Sequence, residues 1–379
     1  MEGCEEMRKI LITGSDGFVG KNLQVLLRRR GDVEIIPFDK EHTLDYLKES
    51  VDKADFIFHL AGENRPKDPA DFMKVNKGLT ETLTEFATKT GRKIPIAYTS
   101  SIQAELDNEY GKSKKAAEDA LIEYSESTGS PVCIFRFPNL FGKWSRPNYN
   151  SVVSTFCYNI SHDLEINISD EKRELELTYI DDLVNAFNKL LDIELDPQKH
   201  FYPVEKSFKI TLGELAKKIF SFKEMRETSI LPDLSDEFTK DLYSTYLSYL
   251  EKDNFSYEVE MKTDNRGMIF ELLKYPNFGQ IFVSTTKPGI TRGNHYHDTK
   301  VEKFCVISGK ADIKFRHILN NEIISYKVSG EKIEIIDIPP GYTHSIENIG
   351  DTEMITLFWA NEMFDQQRPD TYYEEVGKQ

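Results

Sequence analysis

With 379 residues, 39% hydrophobic and 12% aromatic, the chain holds enough apolar material for folded cores and enough length for two or three domains. Its formal net charge of -16 argues against a nucleic-acid partner, which needs clustered Lys and Arg, and against an anionic membrane surface. No apolar run approaches the length that spans a bilayer. Met1 to Lys9 lacks a signal peptide's apolar core, and Cys4, Cys133, Cys157 and Cys305 are scattered without a pairing pattern, as structural cysteines in a reducing cytoplasm would be.

Up to about residue 190, short apolar runs alternate with longer periodic ones. Lys9 to Thr13 reads as a strand, Gly20 to Arg30 as a helix ended by Gly31, and Val33 to Phe38 and Phe56 to Leu60 as the next strands. Leu79 to Thr88 reads as a helix, Ile94 to Thr99 as a strand, Ser113 to Ser127 as a helix and Val132 to Phe137 as a strand. This alternation predicts a doubly wound parallel sheet. Residues 208 to about 250 have a mostly helical pattern, clearest over Leu212 to Phe222. From about 262 the period becomes two, as in Ala311 to His317, with similar segments at Gln280 to Thr285, Lys303 to Ser308, Lys332 to Ile338 and Met354 to Trp359. An antiparallel jelly roll fits that half. The expected division is 1–257 and 258–379.

Three features of the first half carry chemistry. Gly14, Gly17 and Gly20, with Phe18 and Val19 between the last two, join a strand to a helix. In such a loop the first glycine permits the bend, the second lets backbone approach a pyrophosphate, and the third lets helix and strand pack. Asp39 ends the second strand and suits ribose hydroxyls, favouring NAD; the adjacent Lys40 could meet a 2′-phosphate, favouring NADP. Tyr110 and Lys114 are spaced to share one face of a helix, where the ammonium is expected to favour the phenolate and lower the tyrosine's pKa. Ser101, at a strand end, could hydrogen-bond the same substrate oxygen.

In the second half, His295 and His297 stand two apart on an expected strand and therefore on one face, Glu302 follows, and His344 comes from a later strand. Three imidazoles and a carboxylate suit zinc, manganese, iron or nickel. His317, alone on an alternating strand, reads as a packed or solvated residue.

Residues 8 to about 250 resemble an extended short-chain dehydrogenase/reductase. The match includes His59-Leu60-Ala61-Gly62, Val75-Asn76-x-x-x-Thr80, Arg136-x-x-Asn139-x-Phe141-Gly142 and Tyr179-Ile180-Asp181-Asp182, although only eight residues, Ile102 to Glu109, separate Ser101 from Tyr110. That resemblance implies Ser101, Tyr110 and Lys114 as the catalytic set. It places Leu60 and Ala61 beside the cofactor and Arg65 and Asn139 toward the substrate. Gly289-x5-His295-x-His297-x4-Glu302-x6-Gly309 resembles the first cupin motif, and Pro339-x-Gly341-x2-His344-x3-Asn348 the second, with Gly330 nine residues before the proline. Over its whole length the chain is similar to the bifunctional reductase/epimerase family of bacterial capsule and O-antigen synthesis, through Asn64-Arg65-Pro66, Phe141-Gly142-Lys143-Trp144, Asp241 to Tyr246 and Lys287 to Thr291. The resemblance implies a UDP-linked 4-keto-6-deoxy-N-acetylhexosamine as partner, a cupin half that inverts carbon 3, and a reductase half that reduces carbon 4. The product would be UDP-N-acetyl-6-deoxy-L-talosamine. The expected cofactors are NADPH, with NADH the alternative, and a divalent metal, zinc by resemblance; the expected assembly is a cytoplasmic homodimer. An NAD(P)-binding redox sensor with a cupin ligand module and an iron oxygenase are the competing classes; the intact Ser101/Tyr110/Lys114 set argues against the first.

Overall fold

The computed structural model describes residues 7–377, so Cys4 lies outside the described residues. Two compact units emerge: residues 7–219 with 240–250, and residues 220–239 with 251–377.

The first unit is built on β1 (Arg8–Thr13), β2 (Val33–Phe38), β3 (Phe56–His59), β4 (Ile96–Ser101) and β5 (Val132–Phe137). Next come β6 (Asn139–Phe141), β7 (Glu174–Tyr179), β8 (Phe201–Tyr202) and β9 (Phe208–Thr211). Six of these form a parallel sheet in the order β2-β1-β3-β4-β5-β8, and β6-β7-β9 form a small second sheet. Successive residues of a strand face opposite sides, so β1 sends Ile10 and Ile12 to one core and Leu11 to the other. Helices Phe18–Leu27 and Ile180–Lys189 cover the first face through Leu23, Leu27, Leu183 and Phe187. Helices Leu44–Lys53, Leu79–Lys89 and Glu109–Thr128 cover the second. With both faces buried, β3 and β4 have no exposed residue, which is why their sequences read as continuous apolar or small runs. Cys133 and Cys157 are buried free thiols, and burial pushes Cys133 up to about 11. Both fit a structural role.

The second unit contains eleven strands among the described residues. They are β10 (Met261–Asp264), β11 (Gly267–Tyr275), β12 (Gly279–Thr286), β13 (Thr291–Tyr296), β14 (Glu302–Ser308) and β15 (Lys310–His317), then β16 (Ile323–Ser329), β17 (Ile335–Ile338), β18 (Tyr342–Asn348), β19 (Met354–Ala360) and β20 (Tyr372–Tyr373). They form two antiparallel sheets, β10-β11-β12-β19-β14-β17 and β16-β15-β18-β13-β20. Phe304, Phe358, Ile313, Phe315 and Ile346 fill the core of this unit, and Phe282 stacks on Phe358 at 4.7 Å. This is the jelly-roll arrangement expected from the two-residue period.

Among the described residues, no helix is long and apolar enough to cross a membrane.

Candidate functional site

In the first unit the glycine loop links β1 to its following helix. Gly14 adopts φ +71°, and a Cβ there would stand 2.7 Å from the Ala61 nitrogen. That crowding brings Leu60 and Ala61, just past β3, against the loop. A Cβ on Gly20 would meet the Gly14 carbonyl oxygen at 2.2 Å, so the third glycine is required for helix and strand to pack. Phe18 and Val19 open the helix and pack on the core. Asp39, one residue past β2, accepts hydrogen bonds from the Asp16 amide at 2.8 Å and from the Lys40 amide at 2.8 Å. The Lys40 side chain is exposed. The amides at the start of this helix and the positive end of its dipole suit a pyrophosphate.

Ser101, Tyr110 and Lys114 converge at the C-terminal end of β4. Asn108 caps the helix that carries the latter two, its side chain accepting from the Gly111 amide at 2.8 Å. Lys114 is buried and donates to the Thr99 carbonyl at 2.9 Å; its Nζ lies 6.0 Å from the centre of the Tyr110 ring. Burial lowers the Lys114 pKa to about 8. Burial likewise raises the Tyr110 phenol above its ordinary value, with the Ser101 hydroxyl opposing that rise. The expected lowering of the tyrosine by the lysine is therefore not found: desolvation favours the neutral phenol, and the Lys114 ammonium is engaged by the Thr99 carbonyl. Nearby, the buried Asn76 sits in a π-helical turn, Met73–Gly78, and donates to Ser113 Oγ at 2.9 Å and to the Glu63 carbonyl at 3.0 Å. Such turns are rare and concentrate at functional sites. Arg65 is exposed and donates to the Tyr149 carbonyl. Asn139 is exposed at the start of β6, just beyond β5, whose last residue, Phe137, pairs with Ser101.

In the second unit, His295, His297, Glu302 and His344 each offer a ligand atom, all within 4.8 Å of one another. His295 and His344 are directly paired across β13 and β18, and Glu302 opens β14. His297 lies just past β13, where its Nδ1 hydrogen-bonds the Asp370 carbonyl. A carbonyl only accepts, so Nδ1 carries a proton, and Nε2 is the nitrogen turned to the cluster, 3.4 Å from Glu302 Oε2. His344 Nδ1 faces the Tyr342 carbonyl at 3.3 Å in the same sense. Nε2 of both histidines is buried without a hydrogen-bond partner among the described residues. Burial pushes His344 down to about 3 and His295 below its ordinary value, so both stay neutral, as ligands must. Burial works to raise the Glu302 carboxyl, yet the imidazoles, His297 foremost, hold it below its ordinary value. Imidazole nitrogens that converge on one point beside a carboxylate fit a divalent cation.

Sequence reasoning missed Asp370. Its carboxylate accepts from the amides of Asp298, Thr299 and Lys300 at 2.9, 2.9 and 2.7 Å, fixing the turn between His297 and Glu302. No local signal ties a residue near the chain's end to that turn. The ligand cluster opens into a cavity of about 520 Å³ whose walls include His295, His297, Glu302, Gln280 and Phe282. The isolated His317 packs edge-on against Tyr342, a structural contact.

Residues 10–202 match the NAD dependent epimerase/dehydratase family, and residues 262–372 match the polysaccharide biosynthesis C-terminal domain. The chain is 48% identical over 370 residues to the UDP-2-acetamido-2,6-beta-L-arabino-hexul-4-ose reductase of Pseudomonas aeruginosa, covering 98% of this chain and 99% of that protein. The crystal structure of the capsular polysaccharide assembling protein CapF from Staphylococcus aureus matches with a TM-score of 0.90 at 48% identity, over 97% of this chain and 99% of that one. CapF with the inhibitor 3-isopropenyl-tropolone matches with a TM-score of 0.87 at 44% identity, over the same shares. The chain is thus an enzyme that belongs to the NAD dependent epimerase/dehydratase family and carries a polysaccharide biosynthesis C-terminal domain behind its nucleotide-binding fold.

Proposed function

We propose that the chain acts twice on one UDP-linked 4-keto-6-deoxy-N-acetylhexosamine: the cupin half inverts carbon 3, and the Rossmann half then reduces the ketone at carbon 4 with NADPH. The product is UDP-N-acetyl-6-deoxy-L-talosamine, a precursor of N-acetyl-L-fucosamine. The observation that carries this reading is the 48% identity to a UDP-sugar 4-ulose reductase through both halves of the chain. We place the boundary between the two activities near residue 257, supported by family matches that end at 202 and resume at 262.

Each half has residues for its step. Tyr110 would protonate oxygen 4, Ser101 would hold that oxygen, and Lys114 would orient the nicotinamide cofactor and support the phenol's charge; the cofactor, when bound, would supply the hydride. Gly14, Gly17 and Gly20 cradle the pyrophosphate, with Asp39 and Lys40 at the adenosine end; Arg65 and Asn139 contact the sugar nucleotide. In the barrel, His295, His297, Glu302 and His344 would hold a divalent ion, zinc in this reading. Such an ion, when bound, supplies positive charge to the enolate formed at carbon 3.

The reading includes a homodimer. It is supported by exposed apolar residues on and beside the edge strands β16 and β17: Leu319 (85% exposed), Ile335 (64%), Ile333 (59%) and Ile323 (51%). Light scattering tests it directly.

The decisive experiment incubates the chain with the UDP-4-keto sugar and NADPH and follows nicotinamide absorbance and product NMR. Cofactor oxidation with an inverted carbon 3 is expected. Oxidation that leaves carbon 3 uninverted refutes the cupin half of the reading, and no oxidation with either nicotinamide refutes the reductase half.

A further inference from the structure

The cavity beside the histidine cluster also has a charged wall, formed by Glu271 and Lys274. In β11 the register against β12 shifts between Glu271 and Leu273: Glu271 faces Phe282, Leu273 faces Ile281 and Lys274 faces Gln280. Leu272 is the extra residue, and its side chain is 44% exposed. Along a regular strand, residues three apart point to opposite faces. The bulge removes one step of that alternation, so Glu271 and Lys274 share the face of Phe282 and Gln280. That is the inner face, because Phe282 stacks on the buried Phe358. Lys274 also lies in one cross-strand row with Glu302, through Gln280 and Ala360. Glu271 and Lys274 both line the cavity that His295, His297 and Glu302 line.

The pair is held in place. Glu271 Oε2 accepts from Lys274 Nζ at 2.7 Å, and the two side chains are 36% and 21% exposed. The Lys274 backbone is pinned on both sides, its amide donating to the Ser229 carbonyl at 2.7 Å and its carbonyl accepting from the Leu231 amide at 2.8 Å. Setting an ion pair on a wall shared with Phe270 and Phe282 costs desolvation, which a solvent-facing pair would avoid. A bulge that brings both charges to the inner face at that cost, onto a wall of the cavity the metal-ligand cluster opens into, indicates use.

We propose that Glu271 and Lys274 are the proton-transfer pair of the carbon 3 inversion; the inference rests on the epimerase reading of the barrel. In an enolising unit the hydrogen on carbon 3 and oxygen 4 lie one carbon apart, a span comparable with the separation of the carboxylate oxygen and the ammonium. Glu271 takes the carbon 3 hydrogen as a proton. The C–H bonding pair becomes the C3=C4 double bond, and the carbonyl π pair moves onto oxygen 4, which Lys274 holds by hydrogen bonding. Water in the cavity then protonates carbon 3 on the opposite face, the enolate pair reforming the ketone. The hydroxide so produced takes the proton from Glu271, and the pair returns to its starting state.

The test measures deuterium uptake at carbon 3 in heavy water by NMR, using full-length zinc-loaded protein as wild type, Glu271→Gln, Lys274→Met and Lys274→Arg. Two further readouts are metal content and NADPH-dependent reduction of an already inverted keto sugar. Glu271→Gln is expected to lose on the order of 100-fold or more in exchange, the scale of a general base. Lys274→Met should lose a similar factor, and Lys274→Arg, which keeps the cation, should recover part of it. Metal content and reduction should be unchanged in all three. If wild type exchanges and either Glu271→Gln or Lys274→Met keeps pace with it, the pair is wrong while the epimerase reading stands. Loss of metal together with exchange in Glu271→Gln also overturns the proposal, since the pair would then be structural. A wild type that does not exchange overturns both.

Discussion

Acid should weaken the metal-free barrel through His344, and the size of the effect can be worked from the structure. Burial lowers this imidazole from 6.5 to about 3. A group whose folded pKa is depressed leaves stability whole above its unfolded pKa and takes it away as pH falls, because the unfolded chain binds the proton first. The window therefore runs from about pH 6.5 down to about pH 3. Between pH 7 and pH 5 the linkage comes to about 2 kcal/mol, or a fall of about 4–8 °C in the melting temperature of a unit this size. His59 in the first unit is also lowered to about 3 by burial and has the same sign. The comparison that isolates His344 is therefore with His344→Gln, which takes up no proton there while His59 is common to both. Calorimetry of chelator-treated protein at the two pH values should show wild type losing about 2 kcal/mol more than the variant. Added zinc should raise the wild-type transition at pH 7, and that gain should fade on acidification, since imidazole must be neutral to bind. Equal pH dependence in wild type and variant would refute the reasoning and mean that water or another group satisfies His344 in the folded chain.

Three other outcomes are expected. Tyr110→Phe should cut cofactor oxidation by about 10²–10⁴-fold and leave carbon 3 exchange intact; loss of exchange with the fold preserved would break the division of labour. NADPH should give the higher kcat/KM, because Asp39 already accepts from the Asp16 and Lys40 amides while the Lys40 side chain stays exposed for a phosphate; a higher value for NADH would hand the preference to Asp39. Asp370→Ala removes the carboxylate that fixes the turn after His297, and metal retention by equilibrium dialysis should fall about 10–100-fold, against no change if the turn holds itself.

Much of the fold could be read because each half obeys one period. Parallel strands buried on both faces read as apolar runs, and Val132–Phe137 stands as expected; so does the edge strand Val33–Phe38, of which only Phe38 is buried. The helix Leu44–Lys53 carries little sequence signal: it buries only Leu47, Ser50 and Val51, so its apolar stripe is thin, although Thr43 caps it by accepting from the Tyr46 amide at 3.2 Å. The helix of Tyr110 starts at Glu109 rather than Ser113, and its signal was Asn108, a capping residue three before Gly111. The strand expected from Lys332 begins at Ile335, with Lys332 reduced to a single bridge to Ser329.

The metal-ligand set was legible for a reason that does not depend on regular alternation. His295 and His297 were expected to share a strand face by simple period. Instead the β13 register shifts between Gly293 and His295, Asn294 takes φ +62°, and His297 falls beyond the strand end, yet the ligand atoms still converge. Spacing was preserved while its geometric rationale was not. The same kind of irregularity hid Glu271 and Lys274. Under strict alternation they fall on opposite faces, and nothing in Glu271-Leu272-Leu273-Lys274 marks which leucine is the extra one. A bulge is a choice made by two strands together, so one strand's sequence does not encode it alone. The phenolate expectation erred for a related reason. Spacing places Lys114 beside Tyr110, but the balance of charge against burial is set by how much of the sheet closes over both, and here burial raises the one and lowers the other. In the proposed reading a nicotinamide cofactor held by Lys114 would draw the ammonium away from the Thr99 carbonyl and bring its charge to bear on the phenol. Cofactor binding should therefore lower the Tyr110 pKa from its raised value, and a pH titration of tyrosinate absorbance with and without NADPH, referenced to Tyr110→Phe, measures that shift; a phenol whose titration ignores the cofactor would leave Lys114 with a purely structural part.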